Sequence, residues 1–241
     1  DSTAHGLRKK IMVFALPIAL SSLSFSLLRN VNTLFIKYFL VDNSVVGLYT
    51  AAFTISTIPY FVLISLSLTL TPVISSASAA GNLTLVQKYI SQSLRFLLLL
   101  LLPGTLLIAA TSASFLRLFY SASYVAAAPL LSVLIIGSAF LTMFTILTSI
   151  TTGGGKPWIE MVLSTSLMAL LAIFNIIFIP QYGLLGSSYA MLITSMLAFG
   201  CIAIIVYQKY GTLGNFRSYV RILGLSIILY YLASWWQVSG W

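Results

Sequence analysis

Five polar side chains interrupt the first long apolar stretch of this sequence in a regular way. Ser22, Ser26, Arg29 and Thr33 recur at spacings of four, three and four, which places them on one face of a helix, with Asn32 beside them. A guanidinium in such a stripe attracts anions, while hydroxyls and an amide offer neutral hydrogen bonds to a polar ligand. An Arg at a bilayer centre costs roughly 2.5 to 3.5 kcal/mol on insertion scales, so it faces a bundle interior or a watery cavity. A helix entering at Ile11 reaches Arg29 after a rise of roughly 27 Å, close to the far interface of a core about 30 Å thick. Snorkelling to that interface is therefore the equal alternative for Arg29, and the preferred one for Lys37.

A second stretch repeats the theme with Thr50, Thr54 and Thr57 on one face, followed by Tyr60 and Ser65. These hydroxyls either line a cavity or bond carbonyls of their own or a neighbouring helix. Reactive chemistry finds no frame here. The acids are Asp1, Asp42 and Glu160, all in or near connecting segments and none paired, and the one histidine, His5, sits in the leading tail. A serine nucleophile therefore has no base, and a metal has no ligand cluster. Gly153-Gly154-Gly155-Lys156-Pro157 lacks the earlier Gly and the following Ser or Thr of a phosphate-binding loop and reads as a turn. The expectation is a chain that is not an enzyme and carries no cofactor.

The elements that must hold these side chains are set by composition. Of 241 residues, 60% are apolar and 6% are charged, and a water-facing shell needs far more charge than that. Lipid must be the solvent for most side chains. Backbone groups in hydrocarbon pair internally only in helices or closed barrels, and long unbroken apolar runs exclude a barrel of short alternating strands. About seven spans follow, at roughly 11–36, 45–74, 90–113, 128–150, 158–179, 184–206 and 219–236, the last ending in paired tryptophans that suit an interfacial belt. The expected fold is all-α, a polytopic transmembrane helical bundle. Pro17, Pro59, Pro72 and Pro103 fall inside spans, where proline removes a hydrogen bond and can act as a hinge, although it is also common in membrane helices. The small, polar segment Ser75 to Gln92 reads as a helix lying on the membrane surface.

The net charge of +9 would suggest nucleic acid in a soluble protein, but here the cations flank apolar runs and meet lipid headgroups instead. No nucleic-acid partner is expected. Arg8, Lys9, Lys10, Lys88, Arg95, Lys156, Lys209, Arg217 and Arg221 fall on one side of the spans, against Lys37 and Arg117 on the other. The positive-inside tendency then makes the N-terminal end of this segment cytoplasmic. The first residues lack a Met and a signal-peptide pattern, which reads as a fragment of a longer chain.

A longer pattern runs through the sequence. Pro17 leads to Asn32, then to Val46-Gly47-Leu48-Tyr49 with Ala51-Ala52. Later come Phe119-Tyr120, Tyr124 before Pro129, Gly155-Lys156-Pro157, and Asn175 through Pro180 to Tyr182-Gly183 and Gly186. This order resembles the C-terminal lobe of the multidrug/oligosaccharidyl-lipid/polysaccharide (MOP) flippase superfamily, in its polysaccharide (Wzx-like) branch, over residues 8 to 207. The resemblance implies one lobe of a two-lobe flippase: residues 1–207 as a six-helix lobe, and residues 208–241 as a linker and additional transmembrane helix. It implies alternating access, export of a polyprenyl-pyrophosphate-linked saccharide across the cytoplasmic membrane, and a missing N-terminal lobe as partner beside membrane lipids. Arg29, Asn32, Tyr49, Thr54 and Asn175 are the substrate-binding candidates it points to. The resemblance implies an Asp near the position of Asn32 in many relatives, and this sequence lacks that carboxylate as a group for cation coupling. The alternatives are a multidrug/cation antiporter of the same superfamily and a non-transporting membrane subunit.

Overall fold

The computed structural model of the chain describes the backbone of residues 2–40 and 42–240, with side chains except at 2–11, 13, 14, 29, 216 and 236–240. Every long element among the described residues is helical: α1 (Ser2–Leu40), α2 (Asn43–Ser56), α3 (Ile58–Ala79), α4 (Leu83–Ala110), α5 (Ser112–Phe119), α6 (Ala128–Gly153), α7 (Pro157–Tyr182), α8 (Leu184–Tyr210) and α9 (Phe216–Gly240). A short 3-10 turn, Ala122–Ala127, leads into α6. Six of these, α3, α4, α6 with its leading turn, α7, α8 and α9, are long and apolar enough to cross a membrane, and α1 is longer still at 39 residues. The fold is the expected polytopic helical bundle.

Two stretches depart from the sequence expectation. The second span, expected unbroken over 45–74, divides at Thr57 into α2 and α3, with Pro59 in the first turn of α3. Proline has no N–H to continue the ladder. Only this one of the four intraspan prolines coincides with a break; Pro17, Pro72 and Pro103 lie inside continuous helices. The surface helix expected from Ser75 to Gln92 is absent. Instead α3 runs on to Ala79, the chain turns at Gly81 with φ 66°, and Asn82 caps α4 by accepting from the Leu85 N–H at 3.0 Å. Small polar residues here terminate two spans rather than coat a surface.

The hub of the bundle is α6, buried along most of its length between α3 and α8 and touching α2, α4 and α7. A helix that is apolar all round belongs in a core. Its rings lock the flanks: Phe144 stacks on Phe25 of α1 at 6.2 Å and Phe140 meets Phe199 of α8 at 5.8 Å. Most of its hydroxyls turn back on their own helix, as where Thr142 donates to the Ser138 carbonyl at 2.7 Å, while Ser138 donates to Ser56 of α2 and Thr152 to Glu160 of α7. On the outside, α9 packs along α4 and keeps most of its apolar side chains exposed.

The Gly183 to Gly186 signature has a steric cause. Gly183, between α7 and α8, holds φ 58°, and a Cβ on Gly186 would overlap the Phe178 carbonyl. Two consecutive spans reverse direction here with almost no connection, which only glycine permits.

Cations gather at one end. The α3–α4, α6–α7 and α8–α9 connections meet there: the Gln87 amide donates to the Tyr210 carbonyl at 2.8 Å and the Lys209 ammonium to the Gly154 carbonyl at 3.1 Å. Lys88, Lys156, Lys209 and Arg217 belong to this basic end, while Lys37 and Arg117 belong to the other.

Candidate functional site

Four helices, α1, α3, α6 and α7, line an open polar cavity of about 330 Å³. From α1 come Ser21, Ser22, Phe25 and Ser26; from α3, Tyr60; from α6, Thr145; from α7, Glu160. The helical spacing seen in the sequence therefore puts Ser22 and Ser26 on a cavity wall, both exposed. Geometry holds the walls together. Ser24 of α1 and Thr165 of α7 share a hydrogen bond at 3.1 Å, and α1 and α7 run parallel along a shared seam. Tyr60 sits just past the Thr57 break, so the division of the second span is what delivers its ring to the cavity.

Glu160 is the residue that sequence reasoning passed over. It lies next to the α6–α7 connection, as the sequence suggests, in the first turn of α7, but it is half-buried there and accepts from the Thr152 hydroxyl at 2.7 Å. A carboxylate among hydroxyls can accept from a polyol or hold a cation. The signal available was its position as the only acid beyond Asp42, at the start of an apolar run.

Asn32, Tyr49 and Asn175 are brought together, but in a different place. Asn32 donates to the Tyr49 hydroxyl at 2.8 Å, and Asn175 donates to Asn32 Oδ1 at 2.7 Å and to the Leu171 carbonyl at 2.9 Å. All three have no exposed surface, so they form a polar seam joining α2, α1 and α7 instead of an open wall. The Ser187 hydroxyl of α8 approaches the same Tyr49 oxygen. Asn175 Oδ1 keeps no hydrogen-bond partner. Asn32 is thus turned inward, away from the stripe beside which the sequence places it.

Thr54 is exposed on α2 and donates to the Thr50 carbonyl at 2.8 Å, while Thr50 donates to Val46 and Thr57 to Thr54 in the same manner. The threonine stripe is satisfied by its own helix. The Arg29 side chain lies outside the described residues; its backbone position on α1 is three residues beyond Ser26, on the same face.

Fold and cavity together define a multi-pass membrane protein built as a single helical lobe with a polar hollow on the α1–α7 face. The MatE family model matches residues 17–177, more than half of the chain, and the chain belongs to that family. Two solved structures share its fold. One is "Lipid II flippase MurJ, inward closed conformation", with TM-score 0.71 and 16% identity over 86% of this chain and 44% of that one. The other is an outward-facing multidrug resistance MATE family transporter of the MOP superfamily, with TM-score 0.70 and 20% identity over 96% of this chain and 53% of that one. The chain thus spans about half the length of the structures it matches. No curated protein sequence matches it. The expectation of the MOP superfamily holds at this level, and its polysaccharide branch is a matter for proposal.

Proposed function

We propose that this chain is one lobe of a transporter that moves a polyprenyl-pyrophosphate-linked oligosaccharide across the cytoplasmic membrane by alternating access. The observation that carries this reading is the 330 Å³ cavity with Ser22, Ser26, Tyr60, Thr145 and Glu160 on its walls. Hydroxyls and one carboxylate match the donors and acceptors of a sugar, and Arg29 follows on the same face of α1 to attract a pyrophosphate. Sharing its fold with a lipid II flippase supports a lipid-linked substrate. A second lobe would supply the facing wall, and rocking of the two lobes would open the cavity to each side in turn. The basic end faces the cytoplasm in this reading, following the positive-inside tendency. Asn32, Tyr49 and Asn175 then serve the substrate indirectly, by holding the wall-forming helices together, and Thr54 offers a peripheral hydroxyl.

The test is saccharide export from cells carrying Arg29→Ala or Ser26→Trp at unchanged expression. A fall of tenfold or more is expected for each; unchanged export in both would end the proposal.

One observation favours a second reading. Glu160 is a carboxylate in a membrane cavity, which suits a cation antiporter. Glu160→Gln that abolishes cation-driven drug efflux while sparing saccharide export would favour the antiporter.

A further inference from the structure

Away from the polar cavity, a second hollow of about 400 Å³ opens at the basic end between the start of α7 and the end of α8. Its polar rim consists of Lys156, Gln208 and Lys209, and Trp158, with more than half its surface exposed, stands beside them. The rest of the lining is apolar, with Ile159, Val162 and Leu163 from α7 and Ile205 from α8. No acid lines it. Glu160, on the same turn of α7, is held away from it by its hydrogen bond to Thr152. Lys209 is fixed where it is: its ammonium donates to the Gly154 carbonyl at 3.1 Å and lies 4.9 Å from the Tyr210 ring centroid. The N-terminus of α7 has no side-chain cap, so the positive end of its dipole adds to the same field. The Tyr210 hydroxyl, buried behind this rim, has no hydrogen-bond partner.

We propose that this hollow is a binding site for an anionic phospholipid, with the headgroup phosphate held by Lys156, Lys209 and Gln208 and an acyl chain running between Val162 and Ile205. The combination of cationic and apolar lining in one hollow is what selects a lipid over a free anion. A free phosphate has no use for the apolar walls, and a zwitterionic lipid brings a choline into a field of two ammonium groups. Trp158 fits the rim, as indoles do at the headgroup level. The proposal rests on the membrane-spanning fold and not on the transported substrate, so it survives or fails apart from the reading of the polar cavity.

The sequence supplies a reporter. Trp158 is at the basic end, while Trp235 lies toward the far end of α9, and the two other tryptophans follow it in the sequence. The protein is reconstituted in phosphatidylcholine vesicles doped with acyl-brominated phosphatidylglycerol or, in parallel, acyl-brominated phosphatidylcholine, and tryptophan emission is recorded. Brominated phosphatidylglycerol should quench at a lower mole fraction than brominated phosphatidylcholine. Lys156→Gln and Lys209→Gln should each raise that fraction about fivefold, the worth of one cation near an anionic surface. Lys88→Gln, an exposed lysine of α4 outside the hollow, should leave it unchanged. Because Lys209→Gln also removes a contact to Gly154, the Lys156→Gln result decides if the former fails to fold. Equal quenching by the two brominated lipids, an effect of Lys88→Gln as large as that of Lys156→Gln, or relief of quenching by excess inorganic phosphate would each overturn the proposal.

Discussion

Asn175 donates its amide to Asn32 at 2.7 Å, tying α7 to α1 across 143 residues of chain. Both helices carry walls of the polar cavity, Ser22 and Ser26 on one and Glu160 on the other, so this buried contact is one of the ties between the two walls. Truncating either partner leaves a buried polar group unpaired. Asn175→Ala and Asn32→Ala should each destabilise the protein by about 1 to 2 kcal/mol. The double variant should cost less than the sum, with a coupling of roughly 0.6 kcal/mol or more, as for interhelical hydrogen bonds in membranes. Unfolding in mixed micelles measures this cycle. Strict additivity would show that the two amides do not cooperate.

The cavity itself predicts a size effect. Ser22 and Ser26 are exposed on its wall, so a large side chain there occupies space without disturbing the core. Ser22→Phe and Ser26→Phe should reduce transport at least tenfold while shifting stability by less than about 0.5 kcal/mol, as for surface changes in general. Ser21→Phe is the contrast, because Ser21 is buried and its hydroxyl donates to the Ile18 carbonyl; it should lower stability as well as activity. Transport assays paired with thermal unfolding of the same preparations separate the two outcomes.

How far these features could be read from sequence depends on the range of the interaction. The stripe of Ser22 and Ser26 obeys a local spacing and was visible, as were most of the spans, because hydrocarbon forces helices on any sufficiently long apolar run. Pro59 marked the division at Thr57, yet three other prolines gave the same signal without a break, since a neighbouring helix can accommodate the missing hydrogen bond. Tyr60, Thr145 and Glu160 could not be joined to the stripe, because nothing local says which helices meet. The inward turn of Asn32 was hidden for the same reason: its face is chosen by Asn175 and Tyr49, and an amide on a helix looks alike whether it meets a cavity or a partner amide.

Gly186 tests the steric reading of the signature. A Cβ there would overlap the Phe178 carbonyl, which is backbone and cannot swing aside, whereas Gly200 on the same helix has no atom within 4 Å of the equivalent position. Gly186→Ala should therefore cost about 1 to 3 kcal/mol through overpacking. Gly200→Ala should be neutral or mildly stabilising, because alanine is the better helix former by roughly 0.8 to 1 kcal/mol. Equal melting temperatures for the two variants would remove the close-approach explanation.

The connection between α1 and α2 carries an acid-sensitive cap. Asp42 accepts from the Ser44 backbone N–H and, through its other oxygen, from the Ser44 hydroxyl, both at 2.8 Å. These hydrogen bonds, the backbone one foremost, hold its carboxyl below the usual value of 3.8. A depressed carboxylate pKa stabilises the folded state above the unfolded value, and that contribution is lost as pH falls through the folded one. The affected element matters to the site, because α2 carries Tyr49 into the seam with Asn32. Asp42→Asn keeps an oxygen acceptor for the cap but does not titrate. The melting temperature of the unmodified protein should thus fall more steeply than that of Asp42→Asn as the pH is lowered through and below 3.8, while the difference between them should be flat above that range. Glu160 titrates in both proteins, so subtracting one curve from the other isolates the cap, and parallel curves throughout would mean that Asp42 contributes nothing through its charge.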